Sequence, residues 1–209
     1  TLIVGTGSSL AGGAGAYFYT YVLGDMKLMS GVSVIGLIAS LVGIVMGPYL
    51  ANRFGKKKVY LTAVIISTAL NLLRLLDVTS MILIYISALI GGVAGGWMVP
   101  VNTSIQADNT TYVQYKTGKR AEAAIASLTS FVSKVAQGLG GAIPGYVIAA
   151  YGFVTGASVQ PESINTGIIL CALILPLIFG ILGLLIFGTQ YTLDQKAVIE
   201  MDAKINRNN

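Results

Sequence analysis

Six long apolar stretches alternate with short polar segments along this chain. Each stretch is close to the 20 or so residues that a helix needs to cross the hydrocarbon core of a bilayer. The pattern predicts six membrane spans, at roughly 1–23, 31–51, 59–76, 80–102, 123–151 and 164–188. The longest polar stretch, 103–122, is expected to be a loop. The sequence therefore predicts an all-α integral membrane protein, with a six-helix domain over 1–188 and a tail over 189–209.

The composition excludes a water-soluble domain. Apolar residues make up 55% of the chain, charged residues only 10%, and the mean hydropathy is +0.78. Soluble domains carry about 25% charged residues. The chain has no His and a single cysteine, Cys171, which excludes His-dependent catalysis, His metal sites and a disulfide framework. We expect neither an enzyme nor a nucleic-acid binder, because no soluble basic face is present.

The basic residues indicate how the chain lies in the membrane. Ten Lys and Arg residues fall in segment 52–58, segment 103–122 and the tail, whereas the opposite connections hold only Lys27. Basic residues accumulate on the cytoplasmic side of membrane proteins. We therefore predict a multi-pass protein of the cell membrane, with the even-numbered connections and the C-terminus in the cytoplasm.

The tail is open to two interpretations. Its apolar residues recur every four positions, at Leu193, Ala197, Met201 and Ile205, between charged residues. This spacing is typical of an amphipathic helix that lies against the membrane or the cytoplasmic face. A solvated tail without that contact is the alternative.

Two cations lie within the predicted spans. Charges inside a membrane are costly and often functional. Lys134 is deep in the fifth span, on a polar stripe with Ser127, Ser130, Gln137 and Gly141. We interpret Lys134 as a functional residue; the alternative is a lysine satisfied by backbone carbonyls of a neighbouring helix. Arg74 lies near the end of the third span, where an ion pair with Asp77 is expected.

The acidic residues are informative because all eight lie in polar segments, at span ends or in the tail. A coupling site for Na⁺ or H⁺ normally uses a carboxylate at membrane depth. This segment alone is therefore not expected to couple transport to a cation.

Small residues in the spans predict close helix contacts. Four glycine pairs have GxxxG spacing, which lets helix backbones approach each other in lipid. The pairs are Gly43/Gly47, Gly91/Gly95, Gly92/Gly96 and Gly141/Gly145.

Segment 106–122 resembles the loop signature of the glycoside-pentoside-hexuronide:cation symporters, the melibiose-permease branch of the major facilitator superfamily. The family pattern is roughly Ala-Asp-x-x-Asp-Tyr-Gly-Glu-Trp/Tyr-Lys-x-Gly-x-Arg-x-Glu. The matching residues are Asp108, Tyr112, Tyr115, Lys116, Gly118, Arg120 and Glu122, whereas Thr111, Val113 and Gln114 depart from it. Segments 21–25, 50–57 and 191–194 also resemble the family.

The resemblance covers essentially the whole chain, but only the family's C-terminal half, helices seven to twelve. It implies a six-helix half of a major facilitator fold, built as two inverted three-helix repeats. It also implies sugar:cation symport by alternating access, with a carbohydrate substrate and an N-terminal half as partner. The co-transported Na⁺ or H⁺ would bind in that half, and no resident cofactor is expected. The chain begins at Thr1 inside an apolar stretch, so we expect a segment to precede it.

The resemblance also implies site residues. Lys134 matches a lysine that faces the family's sugar cavity, and Thr129, Ser130 and Ser133 match neighbouring positions of that cavity. A tryptophan of the family's sugar site corresponds to Val99, two residues after Trp97, so this sugar contact is altered. The cytoplasmic gate residues would be Arg53, Asp108, Arg120 and Glu122.

Two other function classes stay open. One is a major facilitator exporter or facilitator of a non-sugar solute, such as a drug or a peptide. The other is a non-transporting fragment or assembly partner.

Overall fold

The computed structural model describes residues 2–119, 121–157, 159–191, 193 and 195–208. Within these residues the chain forms helices and no strands, as predicted. Helix α1 is Leu2–Tyr17 and continues into a π-helical turn, Phe18–Val22. The helices that follow are α2 (Lys27–Phe54), α3 (Lys56–Leu76), α4 (Met81–Thr117), α5 (Glu122–Ala150), α6 (Ser163–Gln190, π-helical over Leu170–Ile174) and α7 (Gln195–Asn208).

All six predicted spans are helical. Among the described helices, α2, α3, α4 and α6 are each long and apolar enough to cross a membrane. The regular part of α1 has only 16 residues before its π-helical turn. Helix α5 has 29 residues, but Lys134 and Gln137 interrupt its apolar sequence.

The predicted loop over 103–122 is wrong, because α4 continues to Thr117. Its 37 residues give a helix of roughly 55 Å at 1.5 Å per residue, against a hydrocarbon core of about 30 Å. The polar part of the helix therefore extends beyond the core, where water can solvate it. Gly118 ends α4 at φ 68°, a left-handed conformation that favours glycine.

The packing of the helices supports the two predicted repeats. Helix α2 packs along α4, and α1 packs along α5; α3 lies against α4, and α1 also lies against α6. Exchanging the first three helices with the next three converts each contact into its counterpart. This correspondence is the pattern that two three-helix repeats produce.

Glycines make the closest crossings possible. A Cβ at Gly43 or Gly96 would overlap the backbone across the α2–α4 crossing, and a Cβ at Gly140 would overlap α1. The prediction of close contacts holds for the pairs Gly43/Gly47 and Gly92/Gly96. Gly140 belongs to none of the predicted pairs. Gly141 and Gly145 differ, because a Cβ at either position would meet no atom within 4 Å.

The amphipathic interpretation of the tail is confirmed, since α7 is a helix packed on the polar end of α4. Ala197, Met201 and Ile205 are half-buried. The Lys204 Nζ lies 5.8 Å from the centre of the Tyr115 ring on α4. These contacts attach the tail to the C-terminal end of α4, which carries Lys116.

Candidate functional site

Helix α5 has three distinct faces. One packs against the rest of the bundle through residues four apart: Ala136, Gly140, Pro144 and Ile148. A second is apolar and exposed, with Leu128, Phe131 and Tyr146 as its largest members. The third is polar and exposed, and we call it the Lys134 face; it comprises Ser127, Ser130, Lys134 and Gln137. A helix with both an apolar and a polar exposed face has a different environment on each side.

The Lys134 face has no polar partners within the described residues. Neither the Lys134 ammonium nor the hydroxyls of Ser127 and Ser130 form a hydrogen bond or ion pair there. Unsatisfied polar groups are costly at membrane depth. This face therefore requires water, a solute or another protein segment beside it, and the alternative of a lysine bonded to neighbouring carbonyls is not observed.

The four residues expected to bind substrate divide between two sides of α5. Ser130 lies with Lys134 on the exposed polar face. Thr129 and Ser133 are half-buried, and their hydroxyls donate to carbonyls of the preceding turn, Thr129 to Ile125 and Ser133 to Thr129, both at 2.8 Å. Threonine and serine commonly bond in this way inside helices.

Val99 on α4 occupies the position that corresponds to the family's sugar-site tryptophan. Val99 is 56% exposed, so no aromatic side chain occupies that position on α4. Trp97 packs instead beside Gly47 of α2, and its indole Nε1 is buried without a hydrogen-bond partner among the described residues.

A second polar cluster lies at the basic end of the bundle. The Lys56 Nζ, at the start of α3, donates to both carboxylate oxygens of Asp108 on α4, at 2.6 and 2.7 Å. Asp108 is only 5% exposed. Lys57 Nζ donates to the Tyr191 carbonyl at 2.6 Å, which connects α3 to the end of α6. The basic segments 52–58, 103–122 and the tail thus meet at one end, as the charge pattern predicted.

Tyr191 lies beside Asp108 in this cluster. Its ring stacks on Phe187 with centroids 4.8 Å apart. Burial, together with the negative charge of Asp108, raises the pKa of Tyr191 to about 12. The Tyr191 hydroxyl is therefore buried beside the Asp108 carboxylate.

Lys56 is the partner of Asp108, and the sequence pattern did not predict this pairing. Arg53 is exposed, and its guanidinium donates to the Tyr49 hydroxyl at 3.0 Å. Glu122 is exposed at the first position of α5, and Arg120 lies outside the described residues. The missed signal is Gly55: with φ 88° it separates α2 from α3 by one residue and places Lys56 on the first turn of α3. The gate role of these residues stays a prediction.

Arg74 has a different partner from the one expected. Its guanidinium lies 5.1 Å from the centre of the Phe18 ring, a cation–π contact. Asp77 instead accepts hydrogen bonds from the N–H and hydroxyl of Thr79. Within the described residues, no group of three or more acidic or cysteine side chains could hold a metal ion.

The all-helical membrane fold agrees with the family that this chain matches in sequence. A family model described as MFS/sugar transport protein matches residues 1–195. The chain belongs to this family. It is therefore an all-α, multi-pass membrane protein of the major facilitator type and not an enzyme. The resemblance to the melibiose-permease branch is also confirmed.

Several curated relatives match along most of the chain. It is 31% identical to the glucuronide carrier protein homolog of Escherichia coli K12, over 93% of this chain and 44% of that protein. It is 32% identical to the uncharacterized symporter YjmB of Bacillus subtilis, over 89% and 41%. The isoprimeverose transporter of Lactiplantibacillus pentosus is 28% identical, over 71% and 31%. The chain thus spans less than half the length of these relatives.

Proposed function

We propose that this chain is the C-terminal six-helix half of a transporter that moves a carbohydrate across the cell membrane together with Na⁺ or H⁺. The relatives support the substrate class, since two are named for a glucuronide and for isoprimeverose, and a third is named a symporter. The chain's share of their length supports an N-terminal half as its partner. The basic end of the bundle would face the cytoplasm.

The Lys134 face is the observation on which this proposal depends. It is polar, exposed and without partners within the described residues, so it fits a solute cavity shared with the other half. The Lys134 ammonium offers three donors, and the Ser130 hydroxyl both donates and accepts. Such groups suit sugar hydroxyls, and a cation also suits the carboxylate of a hexuronide. Thr129 and Ser133 would support the shape of the helix, since their hydroxyls are already bonded to it.

The coupling cation would bind in the partner half. All eight carboxylates of this chain lie outside the middle of the spans, and Asp108 is already bonded to Lys56. Alternating access would then move the two halves against each other around the Lys134 face.

The test uses the transporter that contains this chain, reconstituted in vesicles with imposed Na⁺ or H⁺ gradients. Uptake of a glucuronide and of a pentoside is measured for wild type, Lys134→Leu and Lys134→Arg. We expect Lys134→Leu to lose sugar binding while inserting normally, because a costly charge is removed. Lys134→Arg should retain part of the binding.

The matched control is Lys27→Leu, which removes an exposed lysine at the start of α2. It should transport as wild type does. Normal sugar accumulation by Lys134→Leu would contradict the proposed site. Gradient-independent sugar flux would make the protein a facilitator, and transport of a non-sugar solute alone would favour the exporter class.

A further inference from the structure

A separate polar pocket lies between α1, α3, α4 and α6. Its volume is about 300 Å³, and it shares no residue with the Lys134 face. Its polar lining residues are Ser8, Ser67, Thr68 and Asn71, and its lining glycines are Gly7, Gly91, Gly95 and Gly180. Ser8 and Gly95 are exposed, so the pocket opens to the surface between α1 and α4.

Three hydroxyls of this pocket make no bond within their own helices. Several helical threonines, such as Thr62 on α3 and Thr103 on α4, donate to a carbonyl of their own preceding turn. The hydroxyls of Ser8, Ser67 and Thr68 make no hydrogen bond within the described residues. A hydroxyl at membrane depth that gives up this local bond needs another partner. Three such hydroxyls line one space, so a polar occupant of the pocket has all three available as partners.

Asn71 adds a fourth polar group. Its Nδ2 donates to the Ser67 carbonyl at 3.1 Å. That bond fixes the side chain and leaves the Oδ1 as an acceptor. The wall thus combines hydroxyls that donate or accept with one oriented amide acceptor.

Glycines of α4 keep the pocket open. Gly92 and Gly96 pack tightly against α2, whereas the adjacent pair faces the pocket. A Cβ at Gly95 would meet no atom within 4 Å, and one at Gly91 would meet only Leu70 at 3.5 Å. The two interleaved GxxxG pairs therefore have different roles. Gly92/Gly96 make the contact with α2, and Gly91/Gly95 leave space for the pocket.

We propose that this pocket is a second carbohydrate subsite that binds one neutral monosaccharide ring through its hydroxyls. The volume is at the low end of ligand pockets, which suits one ring and not a disaccharide. Among the described residues no charged side chain lines the pocket, so a pentose or hexose fits better than a uronate. Met98 and Pro176 offer an apolar surface to the ring's C–H groups. This subsite rests on the proposed carbohydrate function.

The first test measures whether a sugar occupies the pocket, independently of transport. The transporter carries Ser67→Cys in a background in which the other cysteines, Cys171 of this chain included, are replaced by serine. A small methanethiosulfonate reagent modifies the new thiol in vesicles. Xylose and glucose should slow the modification roughly tenfold or more when near saturation, whereas glucuronate should not. Ser127→Cys on the Lys134 face is the control, and neutral monosaccharides should protect it less than Ser67→Cys.

Modification that is equally fast with and without every sugar would mean that the pocket holds water only. Absence of modification would mean that it is closed. Either result overturns the subsite. If Ser67→Cys is protected while the vesicles transport no sugar, the subsite stands and the proposed function fails. If sugar is transported without protection, the reverse holds.

The second test fills the pocket. Gly95→Val places two methyl groups into its open space, and the monosaccharide concentration for half-protection should rise about tenfold, the loss of one to two hydroxyl hydrogen bonds. Gly188→Val is the matched control, because a Cβ there also meets no atom within 4 Å but lies on α6 away from the pocket. An unchanged half-protection concentration in Gly95→Val would refute the assignment.

Discussion

Removing Lys56 should destabilise the basic end of the bundle, since it leaves the Asp108 carboxylate buried without its partner. The two groups form two short bonds, at 2.6 and 2.7 Å, and the side chains are 19% and 7% exposed. Breaking a buried ion pair from one side costs about 3–5 kcal/mol. The partial exposure of Lys56 lets some water reach the carboxylate, so we expect Lys56→Met to lower the free energy of unfolding by about 3 kcal/mol.

Unfolding is followed by the fluorescence of Trp97, the only tryptophan of the sequence, during titration with a denaturing detergent. Trp97 packs against the core formed by Val59 and Val101 close to the ion pair, so it reports on this end of the bundle. Lys58→Met is the matched control, because Lys58 is an exposed lysine of the same turn. It should change the unfolding free energy by less than about 0.5 kcal/mol.

A double variant separates the cost of leaving the carboxylate unpaired from the cost of losing the lysine side chain. In Lys56→Met combined with Asp108→Leu, no charge is left buried, and most of the lost stability should return. The two single effects should therefore not add. A Lys56→Met variant as stable as wild type, or a double variant that is less stable than both single variants, would refute the reasoning.

Three further predictions concern the helix crossings, Tyr191 and the orientation. Gly43→Leu should destabilise the protein by about 1–3 kcal/mol through overpacking, whereas Gly141→Leu, in open space, should not; detergent unfolding compares them. Because the pKa of Tyr191 is raised to about 12, Tyr191→Phe should remove a tyrosinate absorbance step near that pH and none near the ordinary value of about 10. In intact cells, a membrane-impermeant maleimide should label Thr155→Cys but not Lys119→Cys; the opposite result would invert the proposed topology.

Helix positions followed from the sequence because lipid imposes a strong length and apolarity requirement on each span. The end of α4 did not follow, since the apolar signal stops at the membrane surface while helical hydrogen bonding does not. Residues 103–117 are polar and still helical, and they are held by the contact with α7. A hydropathy pattern reports the solvent of a segment, not its secondary structure.

The candidate site was predictable only in part, for a related reason. The spacing of Ser130 and Lys134 on one helix placed both on the same face, which needs no tertiary information. The pairing of Lys56 with Asp108 joins residues 52 positions apart, and their meeting depends on how α3 crosses α4. Sequence spacing cannot give that crossing. The unpaired hydroxyls of α1 and α3 likewise became visible only once the helices were packed.

The packing also limits which parts of this chain can move during transport. At Gly43, Gly96 and Gly140 the facing backbones are so close that a methyl group would not fit, and close-packed contacts of this kind switch between discrete arrangements more readily than they deform. The Lys56–Asp108 pair fixes α3 to α4 from within the same six helices. In the proposed transporter, rocking of the two halves would therefore not require any of these contacts to break. The Lys134 face takes no part in them, so a change in its surroundings, from water to solute to the proposed partner half, would cost the bundle no internal packing. A variant that loosens a glycine crossing should accordingly lower stability before it alters sugar affinity, and a variant on the Lys134 face should do the opposite.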